Sequence, residues 1–149
     1  MKKTNNFIGT IRLFSHGILD INSVKNGSAW AFLIIRDGME YIVSEKTYDY
    51  SEVNINIKAL INALENLKEK NWNREKIIVY LTNYELMNMI ITLNNIELHK
   101  LMISIKNYKK NIIFQLKLLL IFFTDISFYY NNVPNKKIDS VLRNTIRIS

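Results

Sequence analysis

Ile77-Ile78-Val79-Tyr80-Leu81-Thr82-Asn83 is the stretch on which the fold turns. Its apolar residues run without polar alternation, which suits a strand covered on both faces. Such a strand pairs in parallel with a partner reached through a helical crossover. The crossover is readable just upstream. Ile57, Leu60, Ile61, Leu64 and Leu67 recur at helical spacing, with Lys58, Asn62, Glu65 and Glu69 on the opposite face, and Ser51 or Asp49 in position to cap a helix running to about Lys70.

Working further back, residues 28–36 are apolar and end at Arg36-Asp37-Gly38. Asp-Gly between apolar runs is a strong hairpin signal, so 28–36 and 39–48 are expected to pair antiparallel. Residues 7–18 join them as a meander, through a first turn from Asp20 to Gly27 that contains Asn26-Gly27. Downstream, helical patterns occupy about 84–93, 96–106 and 111–123, followed by a short aromatic strand from Ile126 to Tyr130. Pro134 stands where it can begin a last helix reaching about Arg147. The order β-β-β-α-β-α-α-α-β-α makes the chain mixed α/β, with no internal repeat and no linker.

The chain has 149 residues, 48% hydrophobic and 22% charged, enough for one domain with a proper core and too few for two ordinary ones. A single domain over 1–149 is expected. There is no cysteine, which excludes disulfides, iron–sulfur clusters and thiolate zinc sites, and two histidines are too few for a histidine metal cage. A reducing, cytoplasmic compartment fits this composition. Residues from Phe7 to Ile18 are interrupted by Thr10, Arg12, Ser15 and His16, so no export signal is expected. The longest apolar run, from Ile112 to Phe123, contains Gln115 and Lys117 and falls short of the roughly 20 residues of a spanning helix. No membrane association is expected.

The net charge of +7 is unevenly placed. Residues 1–100 carry twelve Lys and Arg against eleven Asp and Glu, whereas 101–149 carry eight against two. A basic surface segregated in this way attracts polyanions, nucleic acid first among them.

Several local stretches bring these elements together. Leu13-Phe14-Ser15-His16-Gly17 resembles the first strand of the ribonuclease H family, which ends in a Thr-Asp-Gly turn. The helix beginning near Asn56 and ending Ala63-Leu64-Glu65-Asn66-Leu67 resembles that family's Glu-initiated helix. Tyr80-Leu81-Thr82-Asn83 is similar to its strand ending Thr-Asp-Ser, and Asn135-Lys136-Lys137-Ile138-Asp139 to its Asn-x-x-x-Asp at the start of the last helix. The resemblance covers nearly the whole chain. It implies a mixed five-stranded sheet, an antiparallel three-strand meander plus parallel strands, with flanking helices.

In that family four carboxylates hold two Mg²⁺ ions that activate water for cleavage of an RNA strand. Carried over by position, the four sites here read His16, Asn56, Asn83 and Asp139, so three of four acids are replaced. Mg²⁺ requires anionic oxygen ligands, and amides and imidazole are poor substitutes. Glu52, Asp20 and Glu85 lie nearby in sequence, but a helical turn of about 5.4 Å is outside the tolerance of a two-metal site. The family's loop histidine has no match between Tyr129 and Asn135. No catalytic residue, no metal ligand set and no cofactor is therefore expected. Mg²⁺ belongs only to a minority reading, a nuclease with a rearranged site. His16, Asn56 and Asn83 are expected to hydrogen-bond among themselves, with Asp139 serving as an acid in a helix's first turn.

What remains is binding. The segment that grips a hybrid in the family corresponds to Lys100, Lys106, Tyr108, Lys109 and Lys110, lysines for phosphates and a tyrosine for stacking on a base or sugar. The resemblance thus implies a non-catalytic module binding an RNA–DNA hybrid or RNA duplex. The alternative is a protein-interaction subunit, using the run from Ile112 to Phe123 and the aromatic side chains of Phe128, Tyr129 and Tyr130, expected to be exposed, to bury a partner or a second copy.

Overall fold

A computed structural model describes residues 9–20 and 27–148. The beginning of the expected first strand at 7–8 and the turn between Asp20 and Gly27, with Asn26, lie outside the described residues. Eleven elements follow in order: strands β1 (Thr10–Asp20), β2 (Gly27–Arg36) and β3 (Met39–Thr47), helix α1 (Glu52–Glu69), β4 (Lys76–Leu81), helices α2 (Tyr84–Asn94) and α3 (Leu98–Ser104), a single 3₁₀ turn Tyr108–Lys110, helix α4 (Ile112–Ile121), β5 (Asp125–Tyr130) and helix α5 (Lys136–Ile148). The five strands form one sheet in the order β3-β2-β1-β4-β5. The β1–β2 and β2–β3 pairs are antiparallel, and β1–β4 and β4–β5 are parallel.

The hairpin expected at Asp37-Gly38 forms a two-residue turn. Asp37 at φ 49° and Gly38 at φ 80° both take the left-handed backbone that this tight connection needs. Next to it, the Arg36 guanidinium bonds both carboxylate oxygens of Glu75 at 3.0 Å and lies 4.5 Å over the Trp72 ring, tying the hairpin end to the segment that leads into β4. Of the two candidates, Ser51 caps α1, and Asp49 braces the cap residue. Ser51 Oγ accepts from Asn54 N–H, and Asp49 accepts from Ser51 N–H and pairs with Lys58 at 3.1 Å. The last helix starts at Lys136, two residues after the expected Pro134. Asn135 caps it, accepting from the N–H groups of Lys137 and Ile138.

Two unequal cores flank the sheet. The larger joins Ile11, Leu13, Trp30, Phe32, Ile34, Ile77, Val79 and Leu81 to the apolar sides of α1 through α4. The smaller puts Ile138 and Leu142 of α5 against Leu33 and against Ala29 and Ala31, whose small side chains let that helix sit close to β2. Between these layers β2 is buried without interruption from Gly27 to Ile34.

One expectation is corrected. β4 has parallel partners on both sides, but it is not covered on both faces. Ile77, Val79 and Leu81 are buried, whereas Ile78 and Tyr80 are only half-buried. The helix α5 packs on β1, β2 and β3. Among the described residues the β4–β5 half of that face carries no helix.

Helix α1 docks on β1 at Gly17. A Cβ there would lie 2.5 Å from Ile55 Cγ2 and 3.0–3.1 Å from the backbone of Ile55 and Asn56, so only glycine admits the helix. Gly17→Ala is expected to lower the unfolding free energy by about 1–3 kcal/mol through overpacking, read as a reduced urea midpoint.

Candidate functional site

The four positions singled out in the sequence converge where β1 and β4 meet the first turns of α1, α2 and α5. At the centre is Asn56, 3% exposed on the inner side of α1. Its Oδ1 accepts from Gly17 N–H at 2.9 Å, while its Nδ2 donates to Gly17 C=O at 3.3 Å and to Glu52 C=O at 2.9 Å. One side-chain amide therefore answers both halves of the Gly17 residue's backbone, as a neighbouring strand would. A carboxylate cannot do this, because it accepts and does not donate.

The other three are engaged separately. His16 Nδ1 shares a short hydrogen bond with Thr82 Oγ1 at the end of β4. Asn83 caps α2, its Oδ1 accepting from Leu86 N–H at 2.8 Å. Asp139, in the first turn of α5, pairs with Arg143 one turn on at 3.1 Å. The expected mutual bonding of His16, Asn56 and Asn83 is thus corrected. Each finds its own partner, the backbone of Gly17 and Glu52 for Asn56, the Thr82 hydroxyl for His16 and the Leu86 N–H for Asn83. Asp139 does lie in a first helical turn as expected.

Burial holds the His16 imidazole below its ordinary pKa of 6.5; the field of Asp139 pushes it back up and that of Arg143 pushes it down. The ring is neutral at physiological pH. These donors do not fit a pair of magnesium ions. The two Asn oxygens already accept backbone protons, the imidazole is no hard anionic ligand, and the sole carboxylate is balanced by a guanidinium. Among the described residues no three His, Asp or Glu side chains are gathered as a metal site. Glu52 and Glu85, the acids nearest in sequence, are exposed. The side chain of Asp20 lies outside the described residues.

The basic segment forms a protruding turn. Lys100 on α3 and Lys106, Lys109 and Lys110 around the 3₁₀ turn are exposed, and Asn107 at φ 56° reverses the chain between them. Tyr108 differs from its neighbours. It is half-buried, with its ring edge-to-face against Phe114 at 4.9 Å, so it anchors the turn to α4 in place of standing free for a base. The run from Ile112 to Phe123 is largely core. Phe114, Leu116, Leu119, Leu120 and Phe123 are buried, leaving Leu118, Ile121 and Phe122 outside. Phe128 is likewise packed against the core, while Tyr129 and Tyr130 are exposed. Among the described residues no helix is long and apolar enough to cross a membrane.

Two measurements test this site. Asn56→Asp leaves the carbonyls of Gly17 and Glu52 without the side-chain donor and should cost about 1–3 kcal/mol in chemical denaturation. For His16 the sign follows from the lowered pKa. The unfolded state takes up the proton first, so its contribution to stability is complete above pH 6.5 and is lost as pH falls through the lower folded value. Between pH 7 and pH 5, His16→Gln should therefore lose less stability than the parent chain.

Sequence comparison matches no family model and no curated protein. Structural comparison does find relatives. LC11 ribonuclease H1, solved in complex with an RNA/DNA hybrid, superposes with a TM-score of 0.69 at 14% identity over 93% of this chain and 97% of its own. Ribonuclease H1 of Halobacterium salinarum gives 0.63 at 15% identity over 95% and 100%. The foamy viral protease–reverse transcriptase, solved in complex with double-stranded DNA, gives 0.65 at 13% identity over 94% of each chain. Sheet order, mixed strand directions and these superpositions agree, and the chain has the ribonuclease H-like fold.

Proposed function

We propose that this chain is a non-cleaving, ribonuclease H-like module that binds nucleic acid, with RNA-containing duplex preferred, and that it needs no metal cofactor. The observation that carries the reading is the double engagement of Asn56 with Gly17, which turns a position suited to a metal ligand into a structural fastening. With Asn83 engaged as a helix cap and Asp139 balanced by Arg143, no cluster of negative charge is left for two divalent cations.

Binding is supported by different residues. Lys100, Lys106, Lys109 and Lys110 form an exposed basic turn whose ammonium groups suit phosphates, and contacts of this kind recognise a duplex by backbone and shape. The hybrid bound by LC11 ribonuclease H1 favours the same ligand class for this fold.

The test is titration of labelled RNA–DNA hybrid at two salt concentrations, with Mg²⁺ present and products analysed in the same samples. Salt-sensitive binding without cleavage is expected. Replacing Lys106, Lys109 and Lys110 together with Glu should weaken binding and reduce the slope of log affinity against log salt by roughly 1 per lysine. Cleavage that Asp139→Asn abolishes would overturn the non-cleaving assignment.

A further inference from the structure

The half of the sheet that α5 leaves uncovered carries a row of aromatic side chains. Phe14 on β1 is paired with Tyr80 on β4, and Tyr80 with Tyr129 on β5, so the three stand at one level across three adjacent parallel strands. Phe14 and Tyr80 stack with centroids 4.7 Å apart and planes 13° from parallel, and Tyr80 and Tyr129 follow at 6.1 Å and 31°. A centroid spacing this close to the roughly 4.8 Å between strands means the rings stand upright on the sheet with their faces along the strand-to-strand direction. The stack begins at Phe14, packed against the α5 core, and ends on the edge strand at Tyr129, which is 54% exposed.

Beside the row lies a cleft of about 320 Å³ bounded by Phe14, His16, Tyr80, Asn131, Asn135 and Lys136. That volume is at the lower end of small-ligand sites, which run from roughly 300 to 1,000 Å³. Residue alternation puts Arg12 and Lys76 on the same face as the row, with Asp125 opposite Lys76. Lys136 stands at the cleft, where the nearby Asp139 is paired with Arg143, so Lys76, Lys136 and Arg143 outnumber the carboxylates Asp125 and Asp139.

A line of upright rings that ends in an exposed tyrosine on an edge strand is suited to extension by another flat π system. The surrounding cations call for a ligand that joins such rings to anionic groups, and the Asn131 and Asn135 amides, whose Oδ1 atoms accept from the N–H groups of Val133 and of Lys137 and Ile138, keep their Nδ2 donors for acceptors on a base edge. A duplex keeps its base faces inside its own stack, so an unpaired strand is the form of nucleic acid that meets these groups.

We propose that the open β1–β4–β5 face binds an unpaired nucleic-acid strand, one base extending the ring stack on Tyr129 and the adjoining phosphates meeting Lys136 and Lys76. The proposal rests on the nucleic-acid-binding reading above. It adds a second surface, on the opposite side of the sheet from the basic turn, with single strand as its ligand.

The experiment uses fluorescein-labelled 15-nucleotide oligo(U) and a blunt RNA–DNA hybrid, followed by anisotropy on the parent chain, Tyr129→Ala, Tyr129→Phe and the Lys106, Lys109 and Lys110 triple Glu variant. Tyr129→Ala is expected to weaken oligo(U) binding about tenfold, within the range of base–aromatic stacking. Tyr129→Phe should retain binding, and Tyr129→Ala should leave hybrid affinity unchanged. The triple variant should show the reverse preference. Oligo(U) binding that Tyr129→Ala does not alter, or hybrid binding with none to oligo(U), overturns the stacking surface while the basic-turn reading stands. Equal losses on both ligands overturn the division into two surfaces, and binding to neither ligand overturns both readings. Melting temperatures of the two Tyr129 variants, expected to stay within a few degrees of the parent because the ring is half exposed and touches Tyr80 on one side, show that the changes are local.

Discussion

The backbone of a single glycine holds this architecture together. Gly17 N–H and C=O are both answered by the Asn56 amide, and the absent Cβ of Gly17 is what lets Ile55 and Asn56 approach. Neither half works without the other. A side chain at 17 would push α1 away from β1, and a residue at 56 that only accepts would leave a buried carbonyl short of a donor. Helix α1 is the central member of the larger core, packing against β1, β2, α2 and α4. Its seat on β1 therefore fixes the packing of most other elements on that face.

Much of the fold was legible in the residues. The left-handed turn at Asp37-Gly38, the helical stripe from Ile57 to Leu67 and the alternation of strands and helices each express a local rule, and local rules survive in sequence. The cover on each face of β4 did not. An apolar run records that side chains avoid water without recording what excludes it, and here half of that task falls to neighbouring aromatic rings in place of a helix. The rings themselves are 49 or more residues apart in sequence, so their alignment appears only once strand register is known.

The candidate site was legible as a list of positions and illegible as a set of bonds. The resemblance to the ribonuclease H family singled out positions 16, 56, 83 and 139. The partners of His16 and Asn56 could not be read, since Thr82 Oγ1 and Gly17 C=O are brought within reach only by the packing of β4 and α1, whereas the bond from Leu86 N–H to Asn83 is a local helix cap. Tyr108 illustrates the same limit. A tyrosine among lysines suggests a ring offered to a ligand, yet Phe114, six residues on, takes its face at the foot of α4.

Strand order also governs assembly. The β2–β3 hairpin closes through two residues, whereas joining β1 to β4 closes a loop across which His16 and Thr82 stand 66 positions apart. Closure entropy rises with loop length, and contacts distant in sequence are made late when they depend on elements that must form between them. The hairpin and α1 can take shape from local contacts. The parallel pairs join strands that lie far apart in sequence, and β5 is bound to the sheet through β4. The edge that carries Tyr129 is held by one neighbouring strand where the inner strands have two, and it keeps a row of backbone groups open to a further strand.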